Sequence, residues 1–186
     1  VVRPPLFMVA QQTLNMKNLI NNPRDISILL EHGENALPYF GLGAFENFLE
    51  LPAIDQAIHS IYYQTKLSSE MRAKNKALIK DRVVTIPFEN FVRSPEPYLK
   101  KIEKVMGTVR TNKTLKVMRR ERVPRTNVVD GIPLAIYKRC GWEPPRKGFT
   151  EKQEYQKRHE FVLEQGASPK CIKMLDDLSR EYERQN

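Results

Sequence analysis

The chain has 186 residues, a length that suits one domain of ordinary size. Apolar residues make up 40% and charged residues 28%, which excludes a disordered or fibrous chain, and no apolar run approaches the roughly 20 residues of a membrane span. The net charge of +9 points to an anionic partner, whether nucleic acid, anionic membrane, phosphorylated cofactor or polyanionic acceptor, set against a merely soluble basic surface.

In chain order, Arg3-Pro4-Pro5 is barred from a helix interior, and the apolar run Leu6 to Ala10 follows. Residues 14–20 read as a short buried strand that Asn21-Asn22-Pro23 ends. Asp25 to about His32 reads as a helical turn or two closed by Gly33, and residues 33–52 as loop with short helical pieces. The clearest helix covers residues 53–80, where Ile54, Ala57, Ile58, Ile61, Tyr62, Leu67, Met71 and Leu78 recur at near-helical spacing. Val83-Val84-Thr85-Ile86 is a β-branched run that predicts a second buried strand, stopped by Pro87. Ser94-Pro95-Glu96 starts a helix that would bury Tyr98, Leu99, Ile102, Val105 and Met106 and end at Gly107. Residues 112–122 form a basic helical stretch. Residues 123–150 are mostly loop, with a short helix at 133–139. Two helices close the chain, over 151–165 and from Ser168-Pro169 to about Glu183.

Two short apolar strands separated by helices predict an α/β fold, a parallel sheet flanked by helices with a helix-rich C-terminal half. Two strands make no stable sheet alone, so further strands are expected outside these two. Cys140 and Cys171 form no CxxC or Cys/His cluster, so no metal is expected. They read as two reduced thiols, with a single disulfide as the alternative in a secretory setting. The lack of cysteine pairs favours a cytoplasmic setting, while no secretory leader is visible and the Val1-Val2 start, which reads as processed or truncated, makes that absence say little about compartment.

Three stretches, in order, resemble sulfotransferases. Arg82 to Gly107 is similar to the family's "v.yEdLv.dP...l.kI..flG" element, with Phe88-Glu89-Asn90-Phe91-Val92 in the place of its Tyr-Glu-Asp-Leu. Leu19-Ile20-Asn21-Asn22-Pro23-Arg24-Asp25 resembles the "RNPRD" strand and turn, preceded by Arg3-Pro4-Pro5-Leu6 in the place of a "K.P" element. Pro145-Arg146-Lys147-Gly148-Phe149-Thr150 is similar to the C-terminal "RKG" loop.

The resemblance implies a single domain with a sheet related to nucleotide kinases and a P-loop-like fold. It also implies transfer of a sulfuryl group from 3′-phosphoadenosine-5′-phosphosulfate to a hydroxyl or amine of a small-molecule or glycan acceptor, leaving 3′,5′-adenosine diphosphate. The loop that wraps the phosphosulfate in the family would lie before Val1, so the chain is expected to be the C-terminal two thirds of such an enzyme. Arg3 falls where the family places a lysine beside the transferring group and is the candidate catalytic residue. Asn21 and Leu29 align with the arginine and serine that hold the 3′-phosphate. Asn21 would give one neutral hydrogen bond, and Arg24 or Ser27 would compensate for Leu29. Arg146, Lys147 and Gly148 complete the candidate donor site, two cations beside a permissive glycine. Glu89 is expected to serve structurally, by capping or pairing. His32 and His59 read as ordinary surface or helix-packing histidines.

The cluster of Arg110, Lys113, Lys116, Arg119, Arg120, Arg122 and Arg125 leaves two other readings open. One is a basic module on nucleic-acid phosphates, disfavoured by the absence of any helix-turn-helix, zinc or RNA-binding signature. The other is a degenerate sulfotransferase-like protein that binds without catalysis.

Overall fold

The computed structural model describes residues 1–21, 29–32, 35–38, 47–132 and 135–185. Among them the architecture is helical. Helix α1 spans Pro5–Asn21 and α2 spans Ala53–Lys74, followed after Asn75 by the single turn α3, Lys76–Ile79. Then come α4 (Phe88–Arg93), α5 (Glu96–Met106), α6 (Asn112–Arg120), α7 (Glu151–Glu164) and α8 (Pro169–Gln185). Short 3₁₀ turns lie at Phe48–Glu50, Val128–Asp130 and Ala135–Cys140.

The expected parallel sheet is not present among the described residues. Residues 14–20 belong to α1 rather than to a strand. Leu6, Val9, Ala10, Thr13 and Leu14 are all buried, and their spacing of three and four residues makes one helical stripe out of two apolar runs. Pro5 stands at the start of that helix, where a missing N–H costs nothing. The helix read over Asp25–His32 is also corrected. Leu29–His32 is strand β1, paired antiparallel with β2, Asn35–Pro38, in the register Leu29 to Pro38 and His32 to Asn35.

Residues 83–86 do not form a buried sheet strand either. Their one strand-like link is a parallel bridge between Val2 and Pro87, in which the Val2 N–H donates to Ile86 (2.9 Å) and the Phe88 N–H donates to Val2 (2.9 Å). Val83 is exposed. β-branched composition favours a strand only where neighbours cover both faces, and Val2 alone does not.

The main core joins the two ends of the chain. Leu6, Phe7, Val9, Ala10 and Leu14 of α1 pack with Ile54, Ile58 and Ile61 of α2, with Phe161 and Val162 of α7, and with Cys171, Leu175 and Leu178 of α8. Cys140 and Trp142 complete the cluster, and both cysteines are free and buried. A smaller cluster of Met16, Phe48 and Ala57 sits beside it. Helix α7 starts on a capping box, with Thr150 and Gln153 each bonding the other's backbone N–H, as a Thr-x-x-Gln sequence allows. Helix α5 ends where expected, at Gly107 in the left-handed region (φ 62°). Of the five apolar residues expected to face inward on α5, only Leu99 is buried, while Val105 and Met106 are exposed.

Candidate anion-binding site

The Val2–Pro87 bridge brings the start of the chain against the start of α4. Arg3 follows the bridged residue directly, and its Nε donates to Glu89 Oε1 at 2.8 Å across 86 positions of sequence. Glu89 is almost fully buried (4%), whereas the Arg3 side chain keeps 30% of its surface. The second Glu89 oxygen, Oε2, is buried without a hydrogen-bond partner.

Around this pair, guanidinium groups alternate with aromatic rings. Arg125 lies 5.9 Å from the Phe88 ring centroid, and Arg3 lies 4.6 Å from Phe88 and 5.6 Å from Phe7. Arg158 lies 4.4 Å from Phe7 and 4.6 Å from Trp142. Such contacts suit arginine, whose flat, weakly hydrated cation rests on a ring face where a lysine would remain hydrated.

Arg158 is the most enclosed of the three. It forms a two-pronged pair with Glu154, Nε at 3.0 Å and Nη2 at 2.7 Å to the same oxygen, and donates from Nη1 to the Phe7 carbonyl. Burial lowers its pKa, with Glu154 opposing. Arg125 has no carboxylate among its hydrogen-bond partners. Its Nε donates to the Val128 carbonyl (3.0 Å) and its Nη1 to the Glu121 carbonyl (3.2 Å). Burial and then the Arg3 charge lower its pKa, with Asp130 and Glu154 opposing. Three guanidiniums thus share two buried carboxylates, Glu89 and Glu154, and the half-buried Asp130 is a third carboxylate whose charge acts on Arg125, so cations and carboxylates balance at this partly enclosed corner.

The Arg146–Gly148 loop connects to this corner through Asp130. The Gly148 N–H donates to Asp130 Oδ1 at 2.9 Å, with Gly148 at φ 83°, a backbone angle that residues with a Cβ rarely adopt. That bond, with the Asn127 amide, holds the Asp130 carboxyl below its ordinary pKa, and Lys147 and Arg125 act in the same direction. Arg146 and Lys147 are exposed. On the other side, Arg3 lines a pocket of about 480 Å³ together with Met8, Ser68, Arg72, Thr85 and Tyr182. Burial, then the negative charge of Glu89, pushes the Tyr182 hydroxyl up to about 12.

Of the residues singled out from sequence, Arg3 and Glu89 are brought together, and Glu89 has the pairing role expected of it. Arg146, Lys147 and Gly148 reach the same corner only through Asp130. Asn21 ends α1 instead of ending a strand, and Arg24 and Ser27 lie outside the described residues. His59 of α2 is buried against α8, its ring 3.5 Å from the Cys171 sulfur, as a helix-packing histidine is. Arg158, Glu154, Phe7 and Trp142 were not singled out. The Glu154/Arg158 spacing of four residues was a readable signal, whereas the ring contacts depend on packing across 151 positions.

Comparison of the chain with protein-family models, with curated proteins and with solved structures returns no match.

Proposed function

We propose that this chain belongs to a sulfotransferase and that the Arg3 corner, with the Arg146–Gly148 loop, grips the anionic groups of a phosphoadenosine sulfuryl donor. The observation that carries the reading is the Arg3–Glu89 contact. Two stretches chosen for their resemblance to one family, far apart in the chain, meet within hydrogen-bond distance. The reading rests on the site, since one fold hosts many chemistries and one chemistry recurs on several folds. Arg125, which has no carboxylate among its hydrogen-bond partners, and the exposed Arg146 and Lys147 fit a ligand with more than one anionic group.

When bound, such a donor supplies an activated sulfuryl group. Arg3 neutralises charge that develops on the sulfuryl oxygens, and Glu89 fixes its direction. Arg125 adds a desolvated cation, and Arg146 and Lys147 add charge-assisted donors. A donor held by Arg3, Arg125, Arg146 and Lys147 would supply the sulfuryl group to an acceptor oxygen or nitrogen, with 3′,5′-adenosine diphosphate leaving with the electron pair of the S–O bond and the acceptor's proton released to solvent. The acceptor enters by the pocket beside Arg3, where Ser68, Thr85 and Tyr182 offer hydroxyls.

The test is thermal unfolding with 3′,5′-adenosine diphosphate. A ligand held by the folded state alone at about a hundred times its Kd raises the midpoint by several degrees, roughly 2.7 kcal/mol of added stability. Arg3→Gln should remove most of that shift. No shift with the intact protein sinks the reading.

A second reading, a degenerate sulfotransferase-like protein that binds a partner other than the nucleotide and does no catalysis, is favoured by a specific pair of contacts. The chain's own carboxylates, Glu89 on Arg3 and Asp130 on the Gly148 N–H, already occupy the positions an anion would take. On that reading the nucleotide gives no shift, and Glu89→Gln creates one.

A further inference from the structure

We propose that the α5–α6 segment is a docking surface for anionic lipid membrane, independent of the site around Arg3. Between Glu96 and Val123 the chain places nine cations against three carboxylates, a net +6 out of the whole chain's +9. The carboxylates are all engaged: Glu96 and Glu103 by Arg110, and Glu121 by Arg120. Lys100, Lys101 and Lys104 are exposed on α5, and Lys113, Lys116 and Arg119 are exposed on α6.

Charge alone would serve any polyanion. What favours a bilayer is the tip between the two helices. Met106 is 66% exposed and Val109 80%, one on each side of Gly107 and Thr108, and Val105 precedes them at 40%. Neighbouring residues 105–109 thus hold three uncovered apolar side chains in and just before the turn that joins two basic helices. Lys104 and Lys113 sit next to this tip. Sugar–phosphate and glycan chains gain nothing from a bare methionine and valine, whereas a headgroup layer admits them into the acyl boundary while cations hold the lipid phosphates. The sequence reading that turned Val105 and Met106 inward misses this surface, because helical periodicity does not say whether a second layer covers the apolar side.

The measurement is sedimentation of the full chain with vesicles of phosphatidylcholine alone, and with vesicles in which roughly a third of the lipid is phosphatidylserine. Binding to the anionic vesicles, at least about tenfold tighter than to the neutral ones and weakened by salt, is expected. Two variants locate it. Met106→Ser with Val109→Ser keeps every charge and should lower vesicle affinity by about tenfold while leaving heparin and single-stranded DNA binding unchanged. Lys100→Gln, Lys101→Gln and Lys104→Gln together should weaken both. Circular dichroism confirms that each variant keeps its helices. Equal binding to the two vesicle types overturns the proposal. So does a Met106/Val109 variant that binds anionic vesicles as the parent does, and in that case the surface serves a soluble polyanion.

Discussion

Arg158 carries more than one job at a single position. Its guanidinium lies against Phe7 and Trp142 and neutralises Glu154, and the side chain retains 11% of its surface. Arg158→Met keeps some bulk but leaves Glu154 as an unpaired, buried carboxylate, a loss on the order of 3 kcal/mol. Arg158→Lys retains the charge and loses the flat contact, so its loss is smaller. Urea unfolding reads both as a lowered midpoint at unchanged slope, and a Met variant as stable as the parent contradicts this account.

His59 sets a second expectation at the same scale. Burial first, then the charge of Lys170, lowers its pKa from 6.5, while Asp55 works weakly the other way. The unfolded chain therefore takes up this proton before the folded one does. The stability due to neutral His59 is complete above pH 6.5 and is lost as pH falls from there through the lower folded-state value. Asp55 and Ser168 lie at the same contact, where the Ser168 N–H donates to Asp55 (2.9 Å), and Cys171, whose thiol burial raises to about 11, stays protonated throughout. Unfolding midpoints measured from about pH 7.5 down to about pH 5 should fall, and His59→Gln should flatten that fall. An unchanged slope in the variant assigns the effect to other groups.

At the scale of elements, caps and breakers are the features the sequence states openly. The start of α5 near Ser94-Pro95, its end at Gly107, the basic α6 and the paired helices α7 and α8 are all legible, because each boundary is written in a few adjacent residues. Residues 14–20 are not, since a seven-residue segment with Leu14, Met16, Leu19 and Ile20 among polar residues fits a strand or a helix equally. Only the continuation of its stripe back to Leu6 decides, in a helix that begins at Pro5. Val83–Ile86 fails for the opposite reason: its local preference is clear, but strand formation needs partners that residue preference cannot supply. The Arg3–Glu89 pair became visible only through Val2, a single bridged residue. Gly107 tests the legible part. A Cβ there would meet nothing within 4 Å, so Gly107→Ala should cost only the backbone penalty of φ 62°, about 1 kcal/mol. A neutral outcome would mean that α5 ends in another way.

Across the whole molecule, cohesion is uneven. Helices α1, α2, α7 and α8 share one cluster of buried side chains, whereas α6 contributes no buried residue and α5 only Leu99. Amide hydrogen exchange should reflect this division. Amides around Val9–Thr13, Ile58–Ile61 and Leu175–Leu178 should approach the protection of global unfolding, while those of Lys113–Arg120 exchange through local opening, about a hundredfold or more faster. Uniform protection along the chain would show that α5 and α6 unfold only with the rest. None of the described helices is long and apolar enough to cross a membrane.

The core that binds Leu6 and Phe7 to Phe161 and Leu178 also governs the order of events during synthesis. The Arg158 bond to the Phe7 carbonyl spans 151 positions, and the Lys17 bond to Gln165 spans 148. While the ribosome is still making the middle of the chain, the first helix has no α7 or α8 to settle on, and its oily stripe is bare. At the usual pace of translation that interval lasts on the order of ten seconds. Among the described helices that pack on Leu6, Val9 and Ala10, only α2 is by then made and able to cover them.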